Sequence, residues 1–304
     1  MRISFRQLSV FLTLVELKSI SATARARHVS QPTISMQMKE LTETIGLPLY
    51  EQIGKQLYLT AAGEALAETA RAMSDEWVRL QQKIDEMKGY KKGRLRIAIT
   101  STAKYFVPRL LGSFCKAYPD IELSLEVLNR NGVVQRLHEN ADDLYIMSRP
   151  PKDIALKQYA FLDNPLVLIA PLSHRLANKR SQSLKAVEHD AFILREHGSG
   201  TRLACDDHFK EHVFSPHIRM EVGSSETIKQ AVASGLGVGI VSRHALASVP
   251  EKEGLTVLRI KNFPIHANWW VLYPEGKRLS PIATEFMAHL DTAVRDLRVP
   301  LGAM

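Results

Sequence analysis

Cysteine is almost missing from this chain. Cys115 and Cys205 are its two thiols among 304 residues. They lie far apart, and neither sits in a Cys-x-x-Cys pair or a Cys/His cluster. A zinc site is disfavoured; two small buried hydrophobes in a reducing compartment are expected. Long apolar runs are missing as well. None approaches the roughly 18 residues that span a bilayer. The first twenty residues contain Glu16 and Lys18 and lack the basic start and apolar core of an export signal. A cytoplasmic protein with no membrane partner is expected. Site chemistry is also missing: there is no Gly-x-Ser-x-Gly elbow, His-Glu-x-x-His, Walker loop or Gly-x-Gly-x-x-Gly. The eleven histidines are scattered, and His28, His138 and His244 fall in or near predicted helices without partners at metal spacing. Asp142-Asp143 and Asp206-Asp207 are adjacent pairs, so their carboxylates point apart. No catalytic residue, metal or cofactor is expected, and the chain does not read as an enzyme.

What is present begins with charge. The net charge is +8, with a pI near 9.4, which hints at polyanion partners. The surplus is spread along the chain, +3 in residues 1–60 and +5 in the rest, so the pattern must carry the inference. "FRQLSVFLTLVEL" has apolar residues at 5, 8, 11, 12 and 15, a helical spacing. In "SISATARARHV", Ser19 or Ser21 can cap a second helix. "SQPTISMQMKEL" then begins with Ser30 as a cap and Pro32 in a first turn that tolerates proline. Ile34, Met38, Leu41 and Ile45 form an inward stripe, and Gly46 ends the helix. Gln31, Ser35 and Lys39 form an outward stripe beside Thr33 and Met36. Two helices, a turn and a helix with a small polar face make a helix-turn-helix, whose second member lies in the major groove. Gln, Ser and Thr read base edges there, and the helix start can receive a phosphate. "LPLYEQIGKQLYL" reads as a hairpin wing that brings Lys55 to DNA.

This stretch resembles the winged helix-turn-helix domain of the LysR-type transcriptional regulators, through Phe-x-x-Leu at its start, Ser-Gln-Pro-x-x-Ser at the recognition helix and Leu-Thr-x-x-Gly after the wing. Gln52 stands where that family usually has Arg, and Thr42 where it usually has Glu. The expected DNA contacts are Ser21, Gln31, Pro32, Thr33, Ser35, Met36, Lys39 and Lys55.

After Thr60, a cap, comes a long helix. Leu66, Ala70, Met73, Trp77, Leu80, Ile84 and Met87 alternate steps of four and three, the seam of a helix that packs on a second copy. Paired heads would read a pseudo-palindrome. "GYKKGR" (Gly89–Arg94) reads as a hinge.

From Leu95 short apolar strands alternate with helices, which implies α/β layers on a largely parallel sheet. Two such sets imply two lobes with a cleft. In open α/β sheets ligands bind at the carboxyl ends of the strands. "TSTAK", "HGSGTR" and "GSSET" fall there as helix starts, with free N–H groups and hydroxyls. "SRPP" puts Arg149 at another strand end, with Pro150 and Pro151 stiffening the crossover between lobes. The expected contacts for a small anionic effector are Thr100, Ser101, Thr102, Lys104, Arg149, Gly198, Ser199, Gly200, Thr201, Arg202, Ser224 and Ser225.

The region resembles the LysR effector domain. "STAKYFVPRLLGSF", "MSRPP", "REHGSGTR", "SSETIKQAVASG" and "KRLSP" are similar to the subgroup that controls Calvin-cycle (RuBisCO) operons. Ser225 replaces an Asn common in that subgroup. The resemblance implies an α/β protein: a winged helix-turn-helix (1–60), a linker and dimerisation helix (61–89), and a two-lobed domain like a periplasmic binding protein (90–304). Lobe 1 would span about 90–161 and 268–304, and lobe 2 about 162–267. It also implies a homotetramer, a dimer of dimers, that binds double-stranded promoter DNA and works with RNA polymerase as an activator. Its effector would be a sugar phosphate, a phosphoglycolate-type metabolite or NADPH. A LysR-type regulator of another pathway is the alternative. A solute-binding protein, which shares the two lobes, would lack the first ninety residues.

Overall fold

The computed structural model describes residues 3–53, 56–87 and 93–297. Lys55 and most of the Gly89–Arg94 stretch lie outside the described residues. The chain divides into two compact units, 1–89 and 90–304.

The first unit opens with α1 (Phe5–Leu17), α2 (Ile20–Ala26) and α3 (Gln31–Ile45). A reciprocal cap starts α1: the Gln7 N–H donates to Ser4 Oγ at 3.2 Å, and the Ser4 N–H donates to Gln7 Oε1 at 2.9 Å. Ser19 caps α2 and Ser30 caps α3, while Gly46 closes α3 in the left-handed conformation at φ +81°. Phe11, Leu14, Ile34, Met38 and Leu41 are fully buried where the three helices meet. β1 (Tyr50–Ile53) and β2 (Gln56–Leu59) pair antiparallel, and α4 (Ala61–Met87) follows. Thr60 Oγ1 accepts the Gly63 N–H at 3.1 Å. A Cβ on Gly63 would lie 1.9 Å from the Leu49 carbonyl oxygen. The glycine of the Leu-Thr-x-x-Gly motif is therefore a close-approach residue: helix start and wing touch through it.

The second unit holds two five-stranded sheets. Lobe 1 comprises β3 (Gly93–Thr100), α5 (Val107–Ala117), β4 (Ile121–Leu128), α6 (Arg130–His138), β5 (Leu144–Met147) and β6 (Leu156–Asp163). Lobe 2 comprises β7 (Leu166–Pro171), β8 (Ala191–Arg195), α7 (Gly200–Glu211), β9 (His217–Val222), α8 (Ser225–Ala233), β10 (Val238–Ser242) and β11 (Leu255–Val257). The chain returns to lobe 1 as β12 (Asn268–Pro274) and α9 (Pro281–Ala293). The sheet orders are β4-β3-β5-β12-β6 and β11-β7-β10-β8-β9. Phe114 and Phe286 hold α5 and α9 in one core on lobe 1, while Val133 and Leu137 of α6 belong to another. Phe192 and Phe209 pack α7 against lobe 2.

Three expectations are corrected here. The sheets are mixed: β3/β4, β3/β5, β8/β9 and β8/β10 are parallel, whereas β5/β12, β6/β12, β7/β10 and β7/β11 are antiparallel. A strand that comes back from the other lobe enters its sheet from the opposite end, and β12 does so between β5 and β6. The helix expected to run unbroken through "AKYFVPRLLGSFCKAY" is a 3-10 turn (Ser101–Tyr105) followed by α5. Pro108 cannot donate, so it is placed in the first turn of a fresh helix. Pro150 and Pro151 do not stiffen the crossover; they lie between β5 and β6. The crossovers are two antiparallel passages, with Asn164 N–H to Ala267 C=O at 2.7 Å and reciprocal bonds of 2.9 Å between Leu166 and Ile265.

Two glycine substitutions should move stability in opposite directions. Gly63→Ala forces backbone apart and should cost about 1–3 kcal/mol. Gly112→Ala, on the exposed face of α5 with nothing within 4 Å of the new Cβ, should stabilise by roughly 0.5–1 kcal/mol. Urea unfolding of each variant measures both; equal shifts would contradict the close approach at Gly63.

Candidate functional site

The exposed face of α3 is short-chained and mostly uncharged. Gln31, Pro32, Ser35, Met36 and Lys39 are exposed, and Met36 keeps 57% of its surface. Thr33 is half-buried, its hydroxyl 2.8 Å from that of Ser30. Ser21 of α2 is exposed and donates to Gln31 Oε1 at 3.1 Å. That bond orients the amide and leaves its NH₂ group to donate outward. Lys39 lies 3.9 Å from Glu43 with both ends in water, a weak pair that a phosphate can replace. Six of the eight expected DNA contacts are thus exposed on α2 and α3, and Thr33 is half-buried among them in sequence.

On α4 the predicted seam changes character along its length. Ala70 is buried, and Leu66 is half-buried and packs against the three-helix core. Farther along, Met73 (48%), Trp77 (51%), Leu80 (46%) and Ile84 (40%) are exposed. Large apolar side chains repeating at heptad spacing on a helix that is otherwise polar form a surface for a partner helix.

In the second unit, Thr100, Ser101, Thr102, Ser199, Gly200 and Thr201 line one cleft between the lobes, as expected of strand ends facing each other. Arg130, Ser148 and Arg195 complete its wall. Arg195 dominates it. Its side chain ends β8 and is 4% exposed. Nη1 donates to Thr102 Oγ1 at 3.0 Å and to Ser225 Oγ at 3.5 Å, and Nη2 donates to Ser101 Oγ at 3.4 Å. Glu196 takes the guanidinium with two bonds, of 2.7 and 2.9 Å. Arg130 adds a second positive group, donating to the Arg149 carbonyl at 3.1 Å. Thr100 Oγ1 is buried with no hydrogen-bond partner among the described residues, so an acceptor or donor is wanted there. The cleft is nearly shut, with free space of about 10 Å³, room for one water.

Five other residues expected at the effector lie outside this cleft. Arg202 is buried, but its guanidinium is consumed by Asp206 (2.8 Å), Glu221 (2.9 Å) and the Arg195 carbonyl (3.0 Å). The Arg202 hydrogen bond in turn holds the Glu221 carboxyl below its ordinary range. Lys104 is exposed over the Tyr105 ring. Arg149 pairs with Asp207 beside a different cavity. Ser224 caps α8, accepting the Glu226 N–H at 3.2 Å. Gly198 supplies a left-handed turn at φ +82° before Ser199 caps α7.

Residues 5–64 match the family of bacterial regulatory helix-turn-helix proteins of lysR type, and residues 88–295 match the LysR substrate binding domain. The chain belongs to the LysR family. Among LysR-type relatives it is 41% identical over 287 residues to the transcriptional activator CmpR of Synechocystis sp., with 94% of each chain covered. It is 40% identical over 293 residues to the RuBisCO operon transcriptional regulator of Acidithiobacillus ferrooxidans, covering 96% of this chain and 95% of that one. Its second unit is similar to the solved regulatory domain of Synechocystis CcmR in complex with 2-PG. The identity is 46% and the TM-score 0.65, over 68% of this chain and 99% of the other.

As a LysR transcriptional regulator, this chain binds promoter DNA and a small effector rather than catalysing a reaction. Among the described residues, no helix is long and apolar enough to cross a membrane. Arg195 is not among the expected contacts, although it is the last residue of β8. The rule that ligands sit at strand ends applies to the strand's last residue as well as to the loop beyond it. Arg130 carried no local signal.

Leu80→Glu should dissociate the assembly, since it sets a carboxylate in a helix seam. Sedimentation should show a smaller particle, with operator affinity falling at least about tenfold because paired heads bind jointly. An unchanged mass would contradict the role of the seam.

Proposed function

We propose that this LysR regulator controls carbon-fixation genes, and that a small phosphorylated carboxylate of the 2-phosphoglycolate class binds between its lobes at Arg195. The observation that carries the reading is the buried Arg195 guanidinium, ringed by hydroxyls of Ser101, Thr102 and Ser225. A phosphate or carboxylate accepts from such donors and suits the planar fork of an arginine. The start of α7 at Thr201 adds a hydroxyl and free N–H groups. The names of the relatives support the pathway: CmpR is an activator, and the other is a RuBisCO operon regulator. The CcmR domain with 2-PG supports the ligand class.

A cleft this closed admits such a ligand only when the lobes part. The effector therefore binds one lobe arrangement better than the other, which is the condition for linkage. The linked output is the spacing of the DNA-reading heads and the bend of the operator. RNA polymerase is the further partner that activation requires. The DNA contacts are Gln31, Ser35 and Lys39 on α3, with Ser21 orienting Gln31.

Titrating the full chain on a duplex from a carbon-fixation promoter, with and without 2-phosphoglycolate, tests the reading. The effector should change operator affinity or bending. Thr201→Val should weaken the effector at least about fivefold, the lower end of the cost of an unpaired buried polar group, while basal DNA binding stays intact. An unaltered response removes Thr201 from the pocket, and no response to any phosphorylated carboxylate refutes the effector class. Ser35→Ala should lose about 1–3 kcal/mol of discrimination at one base pair, and unchanged discrimination across a set of single-base operator variants would reject its base contact.

A further inference from the structure

The effector cleft leaves one cluster unused. A second cavity, of about 1010 Å³, lies between the C-terminal half of α7, the segment after β5 and the segment leading into β12. His208, Glu211 and His212 stand on its α7 wall. One ring nitrogen from each histidine and a carboxylate oxygen of Glu211 lie within 4.8 Å of one another. Positions i, i+3 and i+4 share a helix face, so a single helix can gather all three.

Each group is prepared for a cation by its surroundings. His212 Nδ1 lies 2.9 Å from the His208 carbonyl oxygen and donates to it. That bond fixes the tautomer and leaves the lone pair on Nε2, the arrangement found in metal-ligating histidines. His208 is 7% exposed, and its Nε2 is buried without a hydrogen-bond partner among the described residues. A native structure rarely leaves such a group without a reason. The ring is held by Phe263 at 4.9 Å and by His212 at 4.3 Å. Glu211 is exposed and supplies the anionic oxygen. His208 and Glu211 sit in the last turn of α7 and His212 is its C-cap, at the carbonyl end that attracts positive charge. The nearby Arg149 charge is balanced by Asp207.

We propose that His208, Glu211 and His212 bind a divalent transition-metal ion, with Zn²⁺ the best match to two imidazoles and one carboxylate. Three protein ligands leave a fourth tetrahedral position open, facing the cavity, for water or an anionic group. The site shares no residue with the Arg195 cleft, so it stands whether or not 2-phosphoglycolate is the effector. In sequence the three residues form a His-x-x-Glu-His spacing, which the absence of His-Glu-x-x-His does not exclude.

The test uses the untagged full chain, stripped with a chelator and titrated with Co²⁺ by visible absorption, then with Zn²⁺ against a chromophoric chelator. One equivalent per chain should bind, with the intense absorption of four-coordinate Co²⁺. His212→Gln and Glu211→Gln should each lose at least about tenfold in Zn²⁺ affinity, while His289→Gln, remote on α9, keeps the wild-type value. Both ligand variants remove half-buried or exposed groups and should retain the wild-type circular dichroism and operator binding. Absence of stoichiometric uptake, or wild-type affinity in His212→Gln and Glu211→Gln, would overturn the site.

Discussion

One buried positive charge, Arg195, organises the effector cleft. Arg195 ends a central strand of lobe 2 almost out of water. Burying a guanidinium is unfavourable unless it is paired and its donors are filled. Glu196 supplies the counter-charge with two bonds. The remaining donors reach across the crevice to Ser101 and Thr102, at the far end of a strand in the other lobe. The hydroxyls that satisfy Arg195 therefore hold the lobes together. An anion that takes their place must move them. Binding chemistry and lobe geometry are one equilibrium on the proposed reading, and that is the means by which a metabolite would act on the DNA-reading unit.

The DNA-reading unit is built on the opposite plan. Its core is a dry junction of Phe11, Leu14, Ile34, Met38 and Leu41, and its outward face carries few charges. A face of this kind makes base contacts while it leaves much of the phosphate attraction to the rest of a basic surface. A second copy docked on the exposed apolar seam of α4 would supply what a lone head lacks, a second head at fixed distance. In such an assembly, affinity and readout follow the assembly's geometry.

Much of this was legible in the residues because it is local. Ser30, Pro32 and Gly46 mark the bounds of α3 through caps and a missing donor, which need no knowledge of the rest of the fold. The heptad seam is a periodicity, and its four exposed members follow the half-buried Leu66 and buried Ala70 along α4. What escaped is long-range. β6 is exposed along most of its length, so its alternation is faint, and β12 pairs beside it only after an excursion through lobe 2. The mixed sheets follow from that route. Arg202 and Arg195 look alike in sequence, seven positions apart. Two acidic partners, Asp206 and Glu221, occupy the first, while one acidic partner, Glu196, shares the second with cross-lobe hydroxyls, and no local pattern separates them. The His208, Glu211 and His212 cluster was local in spacing, yet burial and the His212 tautomer give it meaning, and both need the fold.

A crystal structure of the chain grown with 2-phosphoglycolate tests the central claim most directly. The account predicts a phosphate or carboxylate oxygen within hydrogen-bonding distance of the Arg195 guanidinium, Ser101 or Thr102 displaced from it, and a crevice wider than the present one. A ligand bound elsewhere, with Arg195 still joined to those hydroxyls across a closed crevice, would contradict it.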